Sequence, residues 1–434
     1  MGPIKKILFI VPPLLKETVE FYPDFPTPPL GIGYICANTS REIEKDILDL
    51  TFIQNWDDVW ASMDSLSDYD LYAFTSMTPN FPNTLKVAQR LKRRRHGLVV
   101  IGGNHITVAP EEVLDTNVFD LGIVGEGEDT FRELLANLDR GTPVEHMPGL
   151  VFKGTDGKIV KTGRRKYVKN LDTLHFPARH LLPMHDYFQC FSDIIPEERG
   201  TTLLCSRGCP FSCSFCSKEI FGSRYRYRSP ENIEEEIRHL IDAYQVNMIH
   251  FVDDTFTTNH AFVERLCDTL IQQKFPVQWQ CESRVDSVNR NLVKKMKKAG
   301  CKRIMYGIES GSPRILEKMK KNIRPEMVIE AFAWAKAENI DTGAFIMLGY
   351  PGESKETLQE TRRIVEQVHP KYISVSFTTI LPGTQLHQEY STTANWKTKT
   401  FNDYHIGSNI KLDGIDFHDL VDTRDKIFDI IKSG

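Results

Sequence analysis

Short apolar runs bounded by breakers alternate with amphipathic stretches along the N-terminal part of the chain. KILFIV (Lys6–Val11), DILDL (Asp46–Leu50), YDLYAFTS (Tyr69–Ser76), GLVVIGG (Gly97–Gly103) and FDLGIVGEGE (Phe119–Glu128) have the length and composition of buried strands. Between them, Asn83–Arg95 and Glu126–Leu138 repeat apolar residues at helical spacing. Strands alternating with helices predict an α/β fold, a Rossmann-like doubly wound parallel sheet over residues 1–140. Such sheets bind ligands at the carboxyl ends of their strands, where GGNH (Gly102–His105) and GEGE (Gly125–Glu128) fall.

Residues 141–198 break this rhythm with a hairpin pattern turning at Asp156-Gly157 and then a weakly periodic linker, Leu174–Phe188. A second alternating series fills residues 199–390. Its strand runs are TTLLC, MIHFVDD, VQWQCESR, RIMYGIES, TGAFIMLGY and YISVSFTTI, separated by helix patterns such as SPENIEEEIRHLIDAY, with Ser229 as N-cap and Pro230 behind it. Six βα units predict a partial (β/α)6 TIM-type barrel with its chemistry at the strands' C-terminal ends. Cys209–Cys216, Asp253-Asp254, Glu282–Arg284, Glu309 and Gly349–Gly352 gather there. A short extension, residues 391–434, closes with a helical pattern near Lys426–Ile431.

Charge narrows the partners. Across 434 residues, 54 Lys and Arg face 58 Asp and Glu, which leaves no nucleic-acid footprint, and Lys92–Arg95 reads as the solvated end of a helix. No apolar stretch approaches the roughly 18 residues of a membrane span. MGPIKKILFIVPPLL resembles a signal peptide only until Pro12-Pro13 interrupt it, and Lys6 stands where myristoylation requires Ser or Thr. An odd nine cysteines without a secretion signal argue against a disulfide framework and for a cytoplasmic protein. Cys36, Cys190, Cys267, Cys281 and Cys301 are scattered and read as small buried hydrophobes.

The remaining four, Cys205, Cys209, Cys213 and Cys216, crowd into twelve positions. Zinc would need all four, in a spacing unlike its usual paired knuckles, and an electron-transfer cluster has the same arithmetic. Three ligands fit better: Cys209-x3-Cys213-x2-Cys216 on a loop after a barrel strand would hold three irons of a 4Fe–4S cluster and leave one open. With Phe215 before the last cysteine, this resembles the radical S-adenosylmethionine (SAM) superfamily, in which the open iron chelates the cofactor's amino and carboxylate groups. The resemblance implies Cys209, Cys213 and Cys216 as ligands and leaves Cys205 to packing. It also puts Phe215 by the adenine, Asp253 or Asp254 at the methionine amino group, Arg284 near its carboxylate and Glu309 near the ribose.

The N-terminal half has no P-loop, and Gly31-x-Gly33 is not the tight turn of a dinucleotide site. The ordered set VPPLL, TPPLGIGYI, FTSMT, VVIGGNHIT and VGEGE resembles the cobalamin-binding domains that precede radical SAM barrels. That resemblance implies cobalamin held by Pro13, Leu30, Gly31, Ser76, Met77, Thr78, Gly102, Gly103, Asn104, His105, Gly125, Glu126 and Gly127. The D-x-H-x-x-G signature of histidine ligation is absent. No histidine ligand to cobalt is expected, and a local hydrogen bond is the reading for His105.

Together these features resemble the cobalamin-dependent radical SAM methyltransferases. The family's chemistry implies a 5′-deoxyadenosyl radical that takes hydrogen from an unactivated carbon, and methylcobalamin that donates a methyl group. An electron donor such as ferredoxin or flavodoxin is implied as partner. A cobalamin enzyme for cyclisation or oxidation, and a non-catalytic iron–sulfur or zinc protein, stay open. Compact members of the family include a protein modifier that C-methylates a glutamine of methyl-coenzyme M reductase, so a protein or peptide substrate is one expectation. Tyr306 and Tyr350 are pocket candidates with core packing as the competing role.

Overall fold

The structure is a computed structural model that describes residues 3–15, 26–194, 197–392, 412 and 414–432. Those residues divide into two compact units, one running to Cys190 with Ser217–Phe221, the other taking Phe191–Cys216 and the chain from Gly222 onward.

The first unit is built on strands β1 (Lys6–Val11), β2 (Glu44–Asp49), β3 (Leu71–Thr75), β4 (Leu98–Gly102) and β5 (Leu121–Ile123). They run parallel in the order β2-β1-β3-β4-β5. Alternation sends Leu8, Ile10, Tyr72, Phe74, Val99 and Ile101 into one core and Ile7, Phe9, Leu71, Ala73 and Val100 into another on the opposite face. A strand buried on both faces has to be apolar at consecutive positions, which is what its run shows. The hairpin β6 (Leu150–Lys153) and β7 (Ile159–Lys161) turns through Gly157, at φ 79°, and joins antiparallel to β5. It belongs to the sheet rather than to the linker, and it covers a backbone edge that would otherwise stay open.

The second unit holds β8 (Gly200–Leu203), the short pair β9 (Ser206–Arg207) and β10 (Arg226–Tyr227), then β11 (Met248–Phe251), β12 (Gln278–Ser283), β13 (Cys301–Glu309), β14 (Asp341–Leu348) and β15 (Tyr372–Phe377). Six of them form one parallel sheet, β15-β14-β13-β12-β11-β8, the partial barrel expected from the sequence. Helices cover one face. There Tyr306 packs on Phe332 of the helix Pro325–Ala337, ring centroids 5.2 Å apart, and Trp279 on Phe251 at 5.4 Å. The alternate residues therefore line the lumen: His250, Glu282, Met305 and Phe345 are partly buried, and Ser374 and Ser376 are exposed. The helix Pro230–Tyr244 starts where Ser229 accepts from Asn232 N, and the terminal helix Phe417–Lys432 is longer than its sequence pattern. Among the described residues no helix is long and apolar enough to cross a membrane.

Candidate active site

The cysteine loop follows β8 and β9 and turns through Gly208, at φ 89°. Cys205 lies beneath it, fully buried; its N–H donates to Asp253 Oδ2 at 3.4 Å, and burial pushes its thiol well up. A thiol held protonated in the interior is a poor metal ligand. Cys209 approaches Thr255 Oγ1 at 3.9 Å. Cys213 is pulled down to about 6, first by the hydrogen bond it shares with Cys216, then, against its burial, by the charges of Lys321 and Arg284. Sharing that proton and losing solvent drive Cys216 the other way.

Arg284 caps the loop. Its Nη1 donates to Cys213 Sγ at 3.5 Å, its Nε and Nη2 hold both Asp286 oxygens at 2.8 Å, and its guanidinium lies 3.9 Å over the Phe211 ring. Most of its fork is thus already engaged. Glu309 pairs with buried Lys321, Nζ to Oε1 2.8 Å. Ser214, between two of the cysteines, uses every polar group on its surroundings. Its N–H donates to Met319 O at 3.0 Å, its carbonyl accepts from Leu386 N at 2.8 Å, and its hydroxyl lies 2.7 Å from Tyr350 Oη.

The residues fit a cluster better than a single ion. Zinc would need its thiolates within about 4 Å of one another around one point. Among the described residues no three His, Cys, Asp or Glu side chains converge in that way. A cubane gives each thiolate a different iron, and Cys209, Cys213 and Cys216 stand on one loop, the last two close enough to share a hydrogen bond. A lowered thiol at Cys213 and a guanidinium donating to its sulfur suit an anionic thiolate.

Several sequence expectations need correction. Tyr306 faces the helices and is wholly buried, so it does not line the lumen. Tyr350 is 2% exposed and spends its hydroxyl on Ser214 and on Lys318 O, which makes it a support of the loop rather than a pocket wall. Asp253 is buried, accepts from Ser206 Oγ, and is pushed up to about 7 by desolvation; it stands behind the loop. Asp254 accepts from Gly208 N at 3.1 Å and lies beside the loop itself. Phe215 packs with Ile315, Met319 and Tyr350. Phe211, Ser214, Asp286 and Lys321 escaped the sequence reading: the first two are spacer positions of the cysteine motif, and all four matter only through the side chains and backbone the fold brings to them.

In the first unit the glycine-rich loops lie at the carboxyl ends of β3, β4 and β5, on the edge that binds ligands in such sheets. Gly31 and Gly125 have open space where a Cβ would stand, whereas a Cβ at Gly103, φ 98°, would come to 2.7 Å from Ser76 O. Asn104 is exposed and the Met77 side chain is 45% exposed, an apolar group left uncovered beside these loops. Ser76 and Thr78 are buried, and Gly102 and Leu30 partly so. A flat ring with polar edges fits such a shelf of open glycines and one exposed methionine. His105 is fully buried, 3.3 Å from Thr78 Oγ1 and 4.3 Å from the Phe81 ring, and burial pulls it down to about 4. It is a buried internal post, and burial favours its neutral form. Glu126 accepts from Val168 N, a Cβ at Gly127 would press on Ile35, and Pro13 is buried with its carbonyl on Asn83; these three brace the shelf from within.

Comparison with known proteins agrees with this geometry. Residues 203–365 match the radical SAM superfamily and residues 22–135 the B12 binding domain. The uncharacterized methyltransferase PH0819 of Pyrococcus horikoshii is 32% identical over 407 residues, 92% of this chain and 86% of its own length. The chain belongs to the cobalamin-dependent radical SAM methyltransferase family. Its cofactors are accordingly a 4Fe–4S cluster, SAM and cobalamin. The anaerobic magnesium-protoporphyrin IX monomethyl ester cyclase of Cereibacter sphaeroides is 29% identical over 83% of this chain and 60% of its own. The radical SAM methyltransferase TsrM of Kitasatospora setae, solved with cobalamin and a 4Fe–4S cluster, shares the fold: TM-score 0.73, 18% identity, 92% of this chain and 76% of that one.

Proposed function

We propose that this radical SAM enzyme methylates a carbon of a substrate seated in the lumen of the half-barrel. The observation that carries this reading is the open lumen face, Glu282, Met305, Phe345, Ser374 and Ser376, running up to the loop of Cys209, Cys213 and Cys216. A carbon held there lies at the strand ends, where a (β/α) barrel does its chemistry. When bound, the cluster and SAM supply the radical that removes hydrogen, and methylcobalamin supplies the methyl group. The chain's own part is placement. Cys209, Cys213 and Cys216 hold the cluster, Asp254 and Arg284 flank it for the methionine end of SAM, and Glu309 takes the ribose. Gly31, Gly103, Gly125 and Met77 receive the corrin.

The full-length match to a methyltransferase favours methyl transfer. The cyclase relative supports a second reading, cobalamin-dependent ring formation, although this chain spans only 60% of that protein. For the substrate we take a protein or peptide side chain, glutamine among them. Strand β15 is the edge of its sheet, where main-chain groups could take an extended segment, and its Ser374 is exposed on the lumen face. A ferredoxin or flavodoxin would bring the electron.

The test uses anaerobically reconstituted protein, a flavodoxin reducing system and SAM labelled in its methyl group, with host extract split into protein, peptide and small-molecule fractions. Label on carbon in the protein or peptide fraction, formed together with 5′-deoxyadenosine, supports the proposal. Should 5′-deoxyadenosine accumulate while no fraction gains label, the methyltransferase reading is wrong and cyclisation takes its place.

A further inference from the structure

Lys321 follows the short helix Pro313–Lys318 and stands in no motif. Its side chain is 6% exposed, and its Nζ lies 2.8 Å from Glu309 Oε1. Its own carbonyl accepts from Arg284 Nη2 at 2.5 Å. Three features of the fold make room for this pair. Strand β13 slips register against β14 between Gly307 and Glu309. Glu309 takes φ 66°, a left-handed conformation costly for a residue with a β-carbon. Gly307 lacks a side chain where one would collide: a Cβ there would stand 2.7 Å from Glu309 Oε1 and 2.8 Å from Lys321 Nζ. A bulge, a strained backbone and a glycine together leave room for one buried ion pair.

Such a pair is a poor stability device, because desolvating both charges offsets most of their attraction. Strain retained at a bulge beside a ligand loop points to function. The guanidinium that takes the Lys321 carbonyl also donates to Cys213 Sγ at 3.5 Å, which puts the pair beside the cysteine loop.

We propose that Lys321 is a positioning residue of this active site. It clamps the Glu309 carboxylate in its strained setting for the SAM ribose, and it sets a fixed positive charge beside the cluster, easing reduction. The direction follows from electrostatics: a nearby cation favours the reduced, more negative cluster. The inference rests on Cys209, Cys213 and Cys216 carrying the cluster.

The test compares Lys321→Met, Lys321→Arg and Gly307→Ala with wild type, all anaerobically reconstituted, by iron content, by an EPR-monitored redox titration, and by the change SAM induces in the EPR spectrum. Lys321→Met is expected to keep its iron, to show a midpoint potential shifted to more negative values, and to need at least tenfold more SAM for half the spectral change. Lys321→Arg should restore both, because it keeps the charge and can reach the carboxylate. Gly307→Ala should weaken the SAM response while keeping more of the wild-type potential, since the lysine is displaced and not removed. A Lys321→Met protein with wild-type potential and wild-type SAM response overturns the proposal, as does an arginine variant no better than the methionine one. If Lys321→Met fails to fold, a Gly307→Ala protein with unchanged SAM response overturns it and a tenfold weakened one upholds it. A wild-type protein that binds no iron would instead refute the cluster assignment.

Discussion

Tyr350→Phe isolates the support of the cysteine loop. The change removes one hydroxyl and nothing else. That hydroxyl lies 2.7 Å from Ser214 Oγ and 3.1 Å from Lys318 O, in a side chain only 2% exposed. A buried hydrogen bond whose partner is left unsatisfied costs about 1–3 kcal/mol. Ser214 Oγ already lies 3.4 Å from Lys318 O and can turn its proton there, which recovers part of the loss. The expected penalty is therefore about 1–2 kcal/mol. It falls on the segment between Cys213 and Cys216, so it should show as easier local opening more than as global unfolding. At tenfold per 1.4 kcal/mol, iron should leave the loaded protein about 5- to 30-fold faster into an excess of chelator under anaerobic conditions. Urea unfolding of the same variant checks the global term. Iron release within twofold of wild type would refute the view that Tyr350 holds the loop, and so would a release rate that rises only as much as global stability falls.

Cys205→Ala should retain the iron of wild type after reconstitution while Cys213→Ala loses it, as read by iron and sulfide analysis; equal loss in both would make Cys205 a ligand. His105 sits at about 4 in the fold against 6.5 when exposed, so its contribution is complete above about pH 6.5 and is lost as the pH falls toward 4. The full span is worth about 3 kcal/mol, so His105→Asn should flatten the acid side of the stability curve, and superimposable urea midpoints against pH would contradict this. Gly103→Ala places a Cβ 2.7 Å from Ser76 O at φ 98° and should cost about 1–3 kcal/mol, seen as a lower melting temperature together with weaker cobalamin retention on gel filtration. Met305→Trp fills the lumen at β13 and should abolish methyl transfer while leaving iron content and cobalamin binding unchanged; preserved transfer would move the substrate elsewhere.

Each strand expected from the apolar runs is present: those of the first sheet, covered on both sides, are apolar at consecutive positions, and those of the second keep an apolar residue at most positions facing the helices. Local chemistry was equally legible. The Ser229 cap, the Asp156-Gly157 turn and the cysteine spacing depend on residues a few positions apart. What residues separated in sequence do to one another was not legible. Tyr306 lies within β13 and Tyr350 just past β14, and alternation turns the first toward Phe332 while the turn after β14 brings the second to Ser214. Asp253 and Asp254 are neighbours just past β11 whose fates divide, one bonded to Ser206 in the interior and the other to Gly208 at the loop. Lys321 reads as one more lysine in a basic stretch until the register slip at Gly307 and the turn of Glu309 bring a carboxylate within 2.8 Å of it. Sequence by itself determined the two folds and the cysteine spacing from which the cluster ligands are proposed, since both are written in short-range periodicity and spacing. Tertiary structure alone decided which charges and hydroxyls stand around those thiols, because that depends on register, bulge and close packing between strands.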